Sequence, residues 1–85
     1  MVKVEIYTTS SCGFCVRAKR LLDLKRVAYD EIAVDRGGEP RAEMIKRAQG
    51  RSSVPQIFIG GRHIGGCDDL MALEMDEKLD AMLAQ

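Results

Sequence analysis

Val2-Lys3-Val4-Glu5-Ile6-Tyr7-Thr8-Thr9-Ser10-Ser11-Cys12-Gly13-Phe14-Cys15-Val16-Arg17-Ala18-Lys19-Arg20-Leu21-Leu22 joins a strand pattern to a helix pattern through a short polar loop, with two cysteines at the join. Val2, Val4 and Ile6 alternate with Lys3, Glu5 and Tyr7, as in a strand with one more apolar face. Thr8 to Ser11 then supply a loop whose hydroxyls suit capping of a following helix. From Gly13 to Arg26 the residues Ala18, Leu21, Leu22 and the stem of Lys25 fall on one helical face, and Arg17, Lys19, Arg20 and Asp23 spread elsewhere. Cys12 therefore stands exposed at the mouth of a helix, where it faces unpaired N–H groups and feels the positive end of the helix dipole. That environment stabilises a thiolate and lowers the thiol pKa below the free value of about 8.5. Cys15 lies roughly one helical turn on, close enough to close a small disulfide. The pair reads as a reversible two-electron redox centre, with Cys12 attacking and Cys15, inside the first turn and partly covered, resolving.

The rest of the chain continues the alternation of strand and helix. Val27 to Asp35 is a strand candidate, followed by a turn at Gly37-Gly38 and a helix opening at Glu39-Pro40. Met44, Ile45 and Ala48 line that helix and Gly50 is expected to end it. Pro55 to Ile59 reads as a third strand, Gly60-Gly61 as a two-residue hairpin turn, and Arg62 to Ile64 as a fourth strand broken by Gly65-Gly66. Asp68 and Asp69 sit in the first turn of a helix running through Leu70 and Leu73, and Met75 to Leu83 reads as a further helical segment with Leu79, Met82 and Leu83 turned inward. The expected order is β-α-β-α-β-β-α, an α/β fold. Right-handed crossovers give at least one parallel pair and the hairpin adds an antiparallel edge, so the four-stranded sheet is mixed and flanked by helices.

Composition bounds the function. With 85 residues the chain is expected to form a single domain, 1–85, with one modest core. Lysine plus arginine equal aspartate plus glutamate, 13 each, so no net charge draws the chain to nucleic acid or to an anionic membrane. No apolar run approaches a membrane span or a signal peptide, and the expectation is a cytoplasmic protein. Three cysteines are too few for a disulfide scaffold and in a reducing compartment point to catalytic or ligating roles.

Each chemical signal has a plainer alternative. Cys12 and Cys15 could be half of a zinc site, but only Cys67 and His63 remain to complete one, and His63 falls in a hairpin. Val54-Pro55 could be a trans proline at a strand end, or a cis bond that aims the free N–H and C=O of Val54 at a bound peptide. Gly65-Gly66-Cys67-Asp68-Asp69 could be a turn and helix cap, or a site where helix N–H groups receive a carboxylate while Asp68 pairs with an ammonium, as one α-amino acid end requires. Arg51 could be a solvated surface residue or a clamp for a second carboxylate. Cys67 suits a small buried residue near the helix start, or a regulatory thiol.

Tyr7-Thr8, Cys12-Gly13-Phe14-Cys15, Arg17-Ala18-Lys19, Ser53-Val54-Pro55-Gln56-Ile57-Phe58-Ile59 and His63-Ile64-Gly65-Gly66-Cys67-Asp68-Asp69-Leu70 together resemble a glutaredoxin, most closely the small bacterial dithiol form. The resemblance covers nearly the whole chain. It implies a thioredoxin-like fold, a cis Pro55 and glutathione as bound tripeptide and reductant. It places Arg51 on the glycine carboxylate, Val54, beside Ser53 and Pro55, against the cysteinyl backbone, and Gly66, Cys67 and Asp68 around the γ-glutamyl end. Two departures stand out: Gly13 and Phe14 replace the usual proline and tyrosine between the cysteines, and Thr9 stands where many relatives carry lysine.

The resemblance further implies glutathione-dependent reduction of protein–glutathione mixed disulfides and protein disulfides by a monomer, with ribonucleotide reductase among the partners by family analogy. Its alternative is a dimer that holds a [2Fe-2S] cluster through Cys12 and two glutathiones. A thioredoxin-like electron donor that does not use glutathione is a third reading, disfavoured by Asp68 and the paired glycines.

Overall fold

Strand β1, Val4–Thr8, lies inside a four-stranded sheet of order β2-β1-β3-β4, in a computed structural model that describes residues 2–85. Met1, the first residue of the expected domain 1–85, lies outside the described residues. Strand β2, Asp30–Ala33, pairs parallel to β1; β3, Gln56–Ile59, pairs antiparallel to it on the other side; and β4, Arg62–Gly65, closes the edge beside β3. The helices are α1, Gly13–Leu24; α2, Gly38–Arg47; α3, Cys67–Met75; and α4, Leu79–Leu83. The expected mixed sheet and element order hold. The further helical segment expected over 75–83 is the shorter α4, and Met75 instead ends α3.

The alternation of β1 explains its central place. Val4 and Ile6 point to one face and pack with Ala18 and Leu22 of α1, Ile57 and Ile59 of β3, Leu70 of α3 and Leu79 of α4. Tyr7 points to the other face and packs with Phe58, Val34 and Met44 and Ala48 from the α2 side. Burying side chains such as Ile6, Leu22 and Leu70 stabilises the fold by about 1.5–3 kcal/mol each. The polar half of β1 is also covered. Arg47 of α2 donates from both terminal nitrogens to the Glu5 carboxylate at 3.0 and 3.1 Å, donates to the Tyr7 hydroxyl at 2.9 Å, and lies 4.0 Å from the Phe58 ring centre. The Arg47 hydrogen bond holds the Glu5 carboxyl below its ordinary range.

Three segments differ from the sequence expectation, each for a local reason. Strand β2 begins three residues later than Val27, because Val27 closes the end of α1: its N–H donates to Leu22 O at 3.4 Å. Helix α2 opens at Gly38, so Pro40 sits third in the helix, still within the first turn where an N–H has no intrahelical partner. Strand β4 runs on through Gly65, which pairs with Ile57 across an irregularity between Ile57 and Phe58. The Gly60-Gly61 hairpin turn is as expected, both residues having positive φ (60° and 79°).

Helices α1, α2 and α3 end in the same way. Arg26, Gln49 and Glu77 adopt φ of 60°, 58° and 59°, and the next N–H reaches back to Leu22 O, Ile45 O and Leu73 O. This is the Schellman arrangement, in which the left-handed position usually holds glycine. The residue in that position at the end of α2 is Gln49; Gly50, expected to end the helix, is the next one. Replacing Arg26, Gln49 or Glu77 by glycine removes a left-handed penalty of roughly 1–2 kcal/mol and adds roughly 0.4–1 kcal/mol of unfolded-chain freedom. Each single variant is expected to gain about 0.5–1 kcal/mol in chemical denaturation. Unchanged or lower midpoints would contradict the assignment.

Candidate active site

Cys12 is the N-cap of α1, with extended backbone (φ −99°, ψ 107°). The cap is thus the cysteine and not one of the hydroxyls of Thr8 to Ser11. Its Sγ accepts the N–H of Cys15 at 3.0 Å, and its carbonyl accepts the N–H of Val16 at 3.2 Å. Sulfur therefore occupies the place where a helix start gathers positive potential. Cys12, expected to be exposed, is half-buried, its Sγ lying against the Val54 loop, and Cys15, expected to be partly covered, is buried at 1 % exposure; their Cα atoms are 5.2 Å apart and the two sulfurs are joined as a disulfide. The preceding loop is pinned: the Ser10 N–H donates to Asp35 Oδ1 at 2.6 Å and the Val34 N–H to Thr8 O at 2.8 Å.

Opposite stands the loop that leads into β3. The Val54-Pro55 bond is cis, and the Val54 carbonyl oxygen lies 3.7 Å from Cys12 Sγ. A buried amide holds this loop in shape. Gln56 is fully buried; its Nε2 donates to the Ser53 carbonyl at 3.0 Å and sits 3.3 Å from Ser53 Oγ, and its Oε1 lies 2.7 Å from His63 Nε2. Since the amide nitrogen faces two oxygens, Oε1 must accept, which assigns the proton to His63 Nε2. Burial, with Arg51 nearby, pushes the His63 pKa down.

A third element completes a cleft. Helix α3 begins after Gly66, and Asp69 reaches back from its first turn so that Oδ2 accepts the Gly66 N–H at 2.9 Å. The same oxygen accepts Arg51 Nη1 at 3.2 Å. The Gly66 hydrogen bond, aided by Arg51, holds the Asp69 carboxyl below its ordinary range. Gly65 makes this possible: its φ is +121°, and a Cβ there would lie 2.8 Å from Arg51 Nη1 and inside contact distance of the Asp69 carboxylate. Cys67 is buried at 5 % exposure with a thiol that burial pushes up in pKa, against the pull of Arg17, whereas Asp68 points to solvent.

The structure brings Arg51, Ser53, Val54, Pro55, Gly66, Cys67 and Asp68 together as the lining of one cleft; Cys12 lies beside it, its Sγ 3.7 Å from the oxygen of Val54, and Cys15 is buried behind Cys12 in their disulfide. Phe14 and Asp69 line it too, and sequence reasoning gave neither a role there. No signal marked Phe14: it stands four residues before Ala18 and eight before Leu22, in line with the buried stripe by helical period, yet in the first turn of α1 it is 57 % exposed. Asp69 had the signal of an acid at the third position of a helix, where it can reach back to the cap.

Two sulfurs that can join and part at a helix start, beside an open cleft, are equipped for thiol–disulfide exchange, and the molecule is in class a thioredoxin-fold redox protein. The glutaredoxin family model matches residues 4–64. Glutaredoxin 3 of Escherichia coli K12 is 53 % identical over 83 residues, covering 98 % of this chain and 99 % of that protein. A buckwheat glutaredoxin–glutathione complex superposes with a TM-score of 0.86 at 36 % identity, covering 98 % of this chain and 77 % of that one. A structure described as metal binding of glutaredoxins has a TM-score of 0.74 at 52 % identity, covering 98 % of this chain and 89 % of that one. The chain belongs to the glutaredoxin family, and its chemistry is that of a thiol–disulfide oxidoreductase.

Proposed function

We propose that the protein is a glutathione-dependent oxidoreductase that reduces protein–glutathione mixed disulfides and protein disulfides, acting as a monomer in the cytoplasm. The observation that carries this reading is Cys12 Sγ at the cap of α1, accepting the Cys15 N–H at 3.0 Å beside the cleft. The ionised Cys12 attacks the glutathione sulfur of a mixed disulfide, forming the Cys12–glutathione bond and releasing the substrate protein as its thiolate. A second glutathione thiolate attacks the bound glutathione sulfur, glutathione disulfide leaves, and Cys12 is restored as thiolate. When the substrate is a protein disulfide, Cys12 forms a mixed disulfide with the protein, and Cys15 attacks Cys12 to close the internal disulfide and release the second protein thiolate.

In this reading Arg51 binds the glycine carboxylate, the Val54 backbone pairs with the cysteinyl unit with Ser53 and Pro55 shaping the loop, and Gly66, Cys67 and Asp68 hold the γ-glutamyl end. The buckwheat relative in complex with glutathione supports the choice of ligand. Comparing turnover driven by glutathione with glutathione reductase against turnover driven by thioredoxin reductase tests it. Turnover only with thioredoxin reductase sinks the proposal.

A second reading, a [2Fe-2S] cluster shared by two chains through Cys12 and two glutathiones, draws on Gly13 in place of the proline usual between the cysteines, which frees the backbone there, and on the relative described as metal binding. This chain does not fit a metal by itself: among the described residues no group of three or more histidine, cysteine, aspartate or glutamate side chains could hold one. Anaerobic reconstitution with iron, sulfide and glutathione that yields a colourless monomer removes this reading.

A further inference from the structure

Among the described residues that line the cleft beside Cys12, one carries a positive charge, Arg51, and two carry carboxylates, Asp68 and Asp69. Arg51 is already engaged, its Nη1 on Asp69 Oδ2 at 3.2 Å. A ligand that brings two carboxylates and one ammonium thus enters a lining with an excess of negative charge, whose one cation is taken.

We propose that Asp69 is a specificity-determining residue of the cleft: its carboxylate occupies the face of Arg51 that a ligand carboxylate needs, and binding proceeds by exchange of one carboxylate for the other. The inference rests on the reading that glutathione is the ligand and that Arg51 meets its glycine carboxylate.

Three features of the geometry make the exchange easy. The Arg51–Asp69 pair is half-exposed, 48 % and 46 % for the two side chains, and ion pairs at such exposure hold weakly. The contact uses one guanidinium nitrogen and one oxygen, whereas a free carboxylate can approach the guanidinium fork with both oxygens. Asp69 Oδ2 also accepts the Gly66 N–H at 2.9 Å, so when Arg51 leaves, the carboxylate keeps a charge-assisted partner at the start of α3. Asp69 therefore serves the helix cap in both states and competes for Arg51 in one.

The test uses the Cys15→Ser protein, equilibrated with glutathione and glutathione disulfide. The Cys12 thiolate takes one glutathionyl sulfur, the disulfide breaks, and a glutathione thiolate leaves; intact-mass measurement then gives the equilibrium constant. Adding Asp69→Asn, which keeps an oxygen for the Gly66 N–H, or Asp69→Gln, which suits the same helix position, is expected to raise that constant about two- to five-fold. With the disulfide of glutathione amide, whose glycine carboxylate is a neutral carboxamide, neither substitution should raise it. In an Arg51→Gln background the gain with glutathione should vanish.

A rise of equal size with both disulfides, or a rise that survives Arg51→Gln, overturns the exchange, as does a fall, which would make Asp69 a partner of the ligand ammonium. If the Cys15→Ser protein forms no mixed disulfide with glutathione at all, the functional reading fails and takes this inference with it. Normal formation that Asp69 substitutions leave unchanged removes this inference alone.

Discussion

Cys12→Ser is expected to abolish reduction of glutathione mixed disulfides, on the order of a thousand-fold or more, whereas Cys15→Ser retains much of that activity. A serine hydroxyl at the α1 cap is not ionised at neutral pH and cannot form the sulfur–sulfur bond on which both half-reactions depend. Cys15 contributes in two separable ways. Its backbone N–H donates to Cys12 Sγ at 3.0 Å, and that donor survives replacement of the side chain. Its thiol serves only to close the internal disulfide, so Cys15→Ser should lose reduction of protein disulfides by the dithiol route. Single-turnover reduction of a glutathionylated protein and of a disulfide-bonded protein separates the two activities. A Cys12→Ser protein that still turns over, or a Cys15→Ser protein as inert as Cys12→Ser, would overturn the assignment of attacking and resolving thiols.

Gly65→Ala is expected to be the most damaging single-methyl change near the cleft. At φ +121° an L side chain is strained by about 1–3 kcal/mol. The new Cβ would also displace the Asp69 carboxylate from the Gly66 N–H, with a loss of the size of a helix cap, about 1 kcal/mol. The sum, roughly 2–4 kcal/mol, corresponds to a Tm lower by at least about 8 °C in a domain of this size. The neighbouring Gly66→Ala is the control. Gly66 has an ordinary extended backbone (φ −91°), and a Cβ there meets the Pro55 carbonyl oxygen at 3.4 Å, normal van der Waals contact. It should unfold within a few degrees of the parent protein. Equal losses in both variants, measured by calorimetry, would show that the packing of Arg51 and Asp69 around Gly65 is not what the site depends on.

These two changes also mark how far local pattern carries. The alternation of Val4 and Ile6 with Glu5 foretells β1, and Ala18 and Leu22 spaced four apart foretell the buried face of α1. The two cysteines and the mouth of the helix could be read together because they lie within four consecutive residues. Segment ends were harder to read. Arg26 and Glu77 hold left-handed positions that glycine usually fills, so no glycine marked the ends of α1 and α3, and at the end of α2 Gly50 marked the place one residue late, after Gln49. Val27 looked like strand because it is β-branched and apolar, yet its N–H and side chain finish α1 and fill the core.

For the cleft, the motifs named residues but not their partners. Asp68 carried the expected role of an acid at the start of α3, while the acid that ties Gly66 to Arg51 is Asp69. Two adjacent acids look alike in a sequence; the helix turns them about 100° apart, and only one faces Arg51.

Short-range physics, the strand and helix periods and the capping preference of a helix start, was enough to derive the element order and the thiol pair from the chain alone. The meeting of Cys12 with the Val54 carbonyl, 42 residues away, belongs to the folded molecule. So do the grip of Arg51 on Asp69 and the support of Ser53 by buried Gln56. Contacts between distant segments depend on which strands lie side by side and on how each crossover returns, and in this fold β1 lying between β2 and β3 is what sets the thiols against the proline loop.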